Sequence, residues 1–173
     1  MSLKTSLFII CLALITCSGA SSAQGEREYV DKTNGFKIVL AGKWRPLSYT
    51  DAVGRQRTEF VWENRSRGLL RIARQNLAGR SLADIVRNEV EGLKLSYACM
   101  FTGQEAFSGG SLSGTRVSLY YFEGSRRMTG VYYLLEDKDA VWFLRFTGEI
   151  GSPALAREVT DKVARSFCSV CAL

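Results

Sequence analysis

The stretch "DAVWFLRFTGE" is the strongest constraint on how this chain can fold. Read as a strand, it puts Val141 and Phe143 on one side and Trp142, Leu144 and Phe146 on the other, because successive side chains point to opposite faces. The segment before it, "RMTGVYYLLED", is also apolar on both sides. A sheet with one face in water alternates apolar and polar residues, so these two strands belong to a sheet covered on both faces. The expected covering is helical.

Two helices are available for it. Ser81 precedes "LADIVRNEVEGLKLSY" as an N-cap, Asp84 three residues on completes a capping box, and Leu82, Ile85, Val86, Val90 and Leu93 form one apolar stripe. A second helix is predicted from Ser152-Pro153, a cap followed by proline at the first helical position. Its stripe is Leu155, Val159, Val163 and Phe167, so it runs into the terminal "CSVC". One helix on each face predicts an α+β fold: a three-layer α/β/α sandwich around a central, mainly antiparallel sheet.

The rest of the chain reads as strands and turns. Asn34-Gly35 is a hairpin signal between "REYVD" and "FKIVL", "RTEFVWEN" puts Thr58, Phe60 and Trp62 on one side, and "LLRIARQNL" and "GTRVSLYYFEG" are further strands. There are no repeats or charge blocks, and Pro46 and Pro153 are the only prolines. One domain over residues 27–171 is the economical division.

The first residues read as an export signal. Lys4 gives a positive end, Leu7 to Ile15 is an unbroken apolar run, and Ser21 and Ala23 are placed as a cleavage site expects. About nine apolar residues are too few to span a bilayer, which takes roughly 20. This segment, residues 1–23, is expected to be removed after Ala23, with Ala20 the second choice. A competing route starts from "LITC", which is similar to a bacterial lipoprotein signal and would lipidate Cys17, although Thr16 stands where such signals prefer Gly, Ala or Ser.

Export sets the meaning of the charge and the thiols. Loss of Lys4 leaves 22 basic residues against 17 acidic, a charge of about +5 that names no particular anionic partner. Cys99, Cys168 and Cys171 would remain, in a compartment where disulfides persist.

The order of elements, the Phe36 to Trp44 strand running into a Gly and Trp turn, and the closing helix ending in Ser166-Phe167 together resemble the PsbP-like (Mog/PsbP) superfamily. Many relatives have proline where this chain has Ala41. The resemblance covers nearly the whole mature chain and implies an α/β/α sandwich with a binding or assembly role and no catalysis. It carries no function over: the histidines proposed as metal contacts in the photosystem subunit have no counterpart here, and the Ran-binding relatives are intracellular.

The chain contains no histidine. That removes the usual general base at neutral pH, the Ser-His and Cys-His nucleophile pairs and the commonest zinc ligand. "FSGGSLSGT" lacks the Gly-x-Ser-x-Gly spacing of a nucleophile elbow and reads as a hairpin loop. Paired carboxylates could still act, but Glu59 with Glu63, and Glu136, Asp137 and Asp139, read as solvated faces. Arg55 with Arg57, Arg65 with Arg67, and Arg126 with Arg127 occupy loops that alternate between opposite ends of a meander, which disfavours one anion patch. Tyr120, Tyr121, Tyr132 and Tyr133 suit a covered strand or a binding groove.

The cysteines are expected to be structural. A redox pair sits at a helix start, where the dipole lowers the thiol pKa, whereas Cys168 ends one. Zinc wants four ligands and would find three thiols. Cys99 follows the first helix and Cys168 or Cys171 the second, so one bridge is expected between them, worth about 4 kcal/mol by loop entropy, with the third thiol free for intermolecular pairing. A Cys168–Cys171 bridge is the alternative. The functional expectation is an exported, non-catalytic binding or assembly module, periplasmic or secreted, with an unknown protein or small-molecule ligand. It includes no cofactor, no metal, no nucleic acid, and a membrane only through lipid at Cys17. The alternatives are an envelope enzyme with a carboxylate-based site and a lipid-anchored envelope protein.

Overall fold

The computed structural model describes residues 25–54 and 56–169. The cleavage and lipidation positions, Arg55 and Cys171 lie outside them. Ten strands and two helices follow in order: β1 (Arg27–Asp31), β2 (Phe36–Leu40), β3 (Trp44–Thr50), β4 (Gln56–Trp62), β5 (Asn64–Asn76), α1 (Leu82–Ser96), β6 (Cys99–Gly109), β7 (Leu112–Glu123), β8 (Arg126–Asp137), β9 (Ala140–Glu149), a 3-10 turn (Pro153–Leu155), α2 (Arg157–Ser166) and β10 (Cys168–Ser169). Seven strands make an antiparallel sheet in the order β3-β4-β5-β9-β8-β7-β6, and β1-β2-β10 make a small second sheet. The fold class is α+β.

The two apolar faces of β8 and β9 each seed a separate core. On one side Val131, Tyr133 and Leu135 of β8 and Trp142, Leu144 and Phe146 of β9 pack with Phe36, Ile38 and Leu40 of β2 and with Val163 and Phe167. On the other side Tyr132, Leu134, Val141 and Phe143 pack with Ile85 and Val86 of α1, flanked by Leu82, Val90 and Leu93 of the expected stripe. One face is thus covered by a helix, as expected, while the other is shared between α2 and the small sheet. Phe36 is fixed there by Phe167, with ring centroids 5.8 Å apart, and by Trp142 at 5.9 Å.

Local signals explain most of the boundaries. Ser81 accepts from the Asp84 amide and Asp84 returns the bond, the capping box that starts α1. Gly42 stands at φ +69° where a Cβ would meet the Trp62 ring at 2.4 Å, so the turn into Trp44 closes only over a residue without a side chain. Tyr133 is fully buried; its hydroxyl meets Thr160 at 2.8 Å and donates to Asp161 at 2.5 Å, tying α2 to the sheet.

Other expectations are corrected. Ser152 caps only the 3-10 turn; Ala156 is extended, and α2 begins at Arg157. β3 and β6, the two edge strands, were not anticipated. β3 contains Pro46, and β6 carries an irregularity between Phe101 and Gly103. "FSGGSLSGT" is the β6–β7 hairpin, as expected, and it is closely packed: a Cβ on Gly110 would meet the Arg165 carbonyl of α2 at 2.6 Å, and one on Gly114 the Leu134 carbonyl of β8 at 1.9 Å.

The helix ends do not meet. α1 runs from the end of β5 to the start of β6, whereas α2 starts beyond the end of β9 and finishes beside Gly109 and Gly110. Cys99 therefore stands at one end of the 11-residue β6, and Cys168 near the other. Ten residue steps of strand cover about 30 Å, several times the reach of a disulfide. Among the described residues, Cys99 and Cys168 are not bonded to each other.

Candidate functional site

The sheet face under α1 is only partly covered. Its buried cluster draws on β7, β8 and β9. Further along, on β3 to β5, the same face is exposed at Leu47, Tyr49, Arg71 and Ala73. The register explains why these side chains share a side: Leu47 lies opposite Glu59, Glu59 opposite Arg71, and Arg71 opposite Arg145.

Glu59 organises this strip. Its side chain is only 4% exposed, yet it is flanked by guanidiniums that are mostly in solvent. Arg71 Nε donates to Oε1 at 2.8 Å, Arg65 donates to Oε2 from Nε at 3.2 Å and Nη2 at 3.0 Å, and the Tyr49 hydroxyl donates to Oε1 at 3.2 Å. Burial disfavours the charged carboxylate, but the Arg71 and Arg65 bonds outweigh it and hold the Glu59 pKa below the ordinary value. Two cations on one carboxylate leave a positive excess, and the carboxylate fixes where the guanidiniums stand.

Tyrosines form the border next to α1. Tyr121 and Tyr97, at the end of α1, have ring centroids 5.3 Å apart. Burial pushes the Tyr121 hydroxyl up, against its bond to Thr147, and the Tyr132 hydroxyl up further. Arg145 closes the floor with a two-bonded pair to Glu89 of α1, at 2.8 and 3.0 Å. The result is an open strip of fixed guanidiniums and aromatic edges, suited to polar and planar contacts.

This arrangement corrects the reading of Glu59 as a solvated charge; Glu63 is exposed, as expected. Glu59 is buried, whereas Glu63 lies in the β4–β5 turn at φ +60° and pairs with Lys43. The acidic group near the β8–β9 turn is largely solvated, as expected: Glu136 and Asp139 are exposed, Asp139 lying 3.6 Å from Arg74, and the half-buried Asp137 accepts from Trp142 Nε1 at 3.2 Å. Glu59, Glu63, Asp84 and Glu105 are all displaced downward, the opposite of a general acid. Among the described residues no group of three or more Cys, Asp or Glu is placed to hold a metal ion.

Of the four tyrosines singled out, Tyr132 and Tyr133 are buried on opposite faces, Tyr121 borders the strip, and Tyr120 is exposed on the other side. Leu47, Tyr49 and Arg71 were missed. The available signal was Arg71, the one charge inside the apolar run "LLRIA".

No family model matches the chain, and no curated protein does. Solved structures do. Cyanobacterial PsbP (CyanoP) from Synechocystis superposes with a TM-score of 0.60 at 13% identity, covering 90% of this chain and 98% of that one. This chain has the PsbP/Mog1 fold. LpqN of Mycobacterium tuberculosis, described as involved in cell envelope biogenesis, shares that fold with a TM-score of 0.62 at 11% identity, over 85% of this chain and 91% of that one. The Ran-binding protein Mog1p of Saccharomyces cerevisiae shares it at 0.55 and 11%, over 84% and 96%. The two motifs behind the sequence resemblance meet in the PsbP/Mog1 fold, since Ser166 bonds to Val39 and Phe167 stacks on Phe36.

Proposed function

We propose that the chain is an exported, non-catalytic binding or assembly module of the cell envelope, an α/β/α sandwich whose contact surface is the strip on β3 to β5. The observation that carries this reading is the buried Glu59. A carboxylate locked between Arg65 and Arg71 has no free proton to exchange near neutral pH, but it presents two oriented guanidiniums beside Tyr49 and Leu47, which is the equipment of a contact surface. The envelope role printed for LpqN, which shares the fold, supports the location.

A photo-crosslinking residue in place of Tyr49 tests it. Adducts with an envelope component are expected from position 49 and not from Ser108 at the far edge, and Arg71→Glu should abolish them. Equal adducts from both positions would sink the assignment.

A further inference from the structure

We propose that the end of the sheet carrying the β4–β5 and β7–β8 turns docks on an anionic phospholipid bilayer. This rests on the envelope reading. The two basic turns, expected at opposite ends, lie at the same end. The loop after β9 joins them: the Ile150 amide donates to the Arg127 carbonyl at 3.3 Å, and the Ser152 hydroxyl donates to the Arg67 carbonyl.

Charge accumulates along this rim. Arg27, Lys43, Arg45, Arg67, Arg126 and Arg127 stand there with Glu26, Glu63, Glu123 and Glu149; Glu63 pairs with Lys43 and Arg67, and Glu123 with Arg126, which leaves an excess of two positive charges. The opposite end mixes Lys32, Arg57, Arg74, Arg80, Lys138 and Arg165 with Asp31, Asp51, Asp84, Glu136, Asp137 and Asp139, and among the described residues has no such excess. Large apolar side chains stand exposed beside the basic ones: Ile150 is 41% exposed, Phe122 54% and Tyr120 40%. Tyr120 and Ile150 line one cleft, and Phe122 follows Tyr120 on the same face of β7. Cations around exposed aromatic and aliphatic tips match a membrane interface, where the tips enter the headgroup boundary and the cations meet phosphates.

The exposed apolar tips select this occupant over an acidic protein, and the described chain begins at the same end. Arg27 pairs with Leu40, so the described chain enters at this end. Gly25 lines a cleft of about 540 Å³ there with Arg27, Lys43, Arg45 and Glu63. Cys17 precedes Gly25 by eight residues. An acyl chain at Cys17 would hold this end within about 30 Å of a bilayer, the span of eight extended residues. Without the acyl chain, the basic rim still provides the contact.

The test sediments the processed protein with phosphatidylcholine vesicles that contain or lack phosphatidylglycerol. Tighter binding to the anionic vesicles, by about thirtyfold or more and weakening with salt, is expected. Arg126→Gln with Arg127→Gln should cost about thirtyfold, at roughly fivefold per basic residue near the surface. Phe122→Ser with Ile150→Ser should weaken binding to the same vesicles. Lys32→Gln with Lys138→Gln at the other end should change nothing, and circular dichroism checks that each variant is folded. Equal binding to both vesicle types, or an equal loss from the Lys32 and Lys138 pair, overturns the proposal. Binding to soluble poly-glutamate as tight as to vesicles overturns it in favour of an acidic protein. Cell fractionation reads export separately, so failure on vesicles with envelope location intact removes the docking surface alone.

Discussion

The Ser166 hydroxyl accepts the Val39 amide proton at 2.9 Å and lies 3.2 Å from the Val39 carbonyl oxygen. One side chain at the end of α2 thereby satisfies the middle of β2, 127 residues away. The small sheet is fastened to α2 by this contact as much as by the Phe36–Phe167 stack. Ser166→Ala should cost about 1–2 kcal/mol, the usual penalty for leaving a partly buried amide unpaired, read as a lower midpoint in urea with the slope unchanged. An unchanged midpoint would show that water replaces the hydroxyl.

Glu59 gives stability a sign in pH. Its pKa is lowered on folding, so it binds fewer protons folded than unfolded just below the ordinary value of 4.5. Its contribution is present above that value and is lost as the pH falls through the folded pKa. Glu59→Gln should flatten the acid side of the stability–pH curve below about pH 4.5 and leave the neutral side sloping as before. Glu59→Ala should cost about 1–3 kcal/mol at neutral pH, because Arg65, Arg71 and Tyr49 lose their common acceptor. An acid limb identical to wild type in the Gln variant would count against the assignment.

Gly42→Ala is expected to be among the costly single-methyl additions. The new carbon would sit 2.4 Å from the Trp62 ring at a φ of +69°. The Trp44–Trp62 edge contact, with centroids 5.7 Å apart, would have to open. A loss of about 2–3 kcal/mol in denaturant unfolding, with altered tryptophan fluorescence, is expected.

Thiol mapping addresses the cysteines. Cys99 and Cys168 are separated by the length of β6, so non-reducing peptide mapping of the monomer should show no Cys99–Cys168 cross-link, and Cys99 should be alkylated without reductant. Recovery of that cross-linked peptide would contradict the strand order.

What the sequence disclosed follows from where physical constraint is strongest. β8 and β9 are central and buried on both faces, so their composition has one reading; α1 announces itself through Ser81 and Asp84. The edge strands β3 and β6 face solvent for much of their length, and "RPLSYT" and "TGQEA" therefore carry no clear alternation. The strip on β3 to β5 was hidden for another reason. Glu59, Arg65 and Arg71 look like ordinary surface charges until the register sets Glu59 opposite Arg71. The shared end of the two basic turns likewise depends on strand order, because the turns after β4 and β7 are separated by an odd number of strands.

The edges of the large sheet have a consequence for its growth. An unpaired strand edge is a template on which another chain can add, and sequences that must stay dispersed spoil it. Pro46 removes one amide from the β3 ladder, and the irregularity at Phe101–Gly103 breaks the repeat along β6. Each outer strand of this sheet therefore carries its own stop signal, and the seventh strand is where propagation ends.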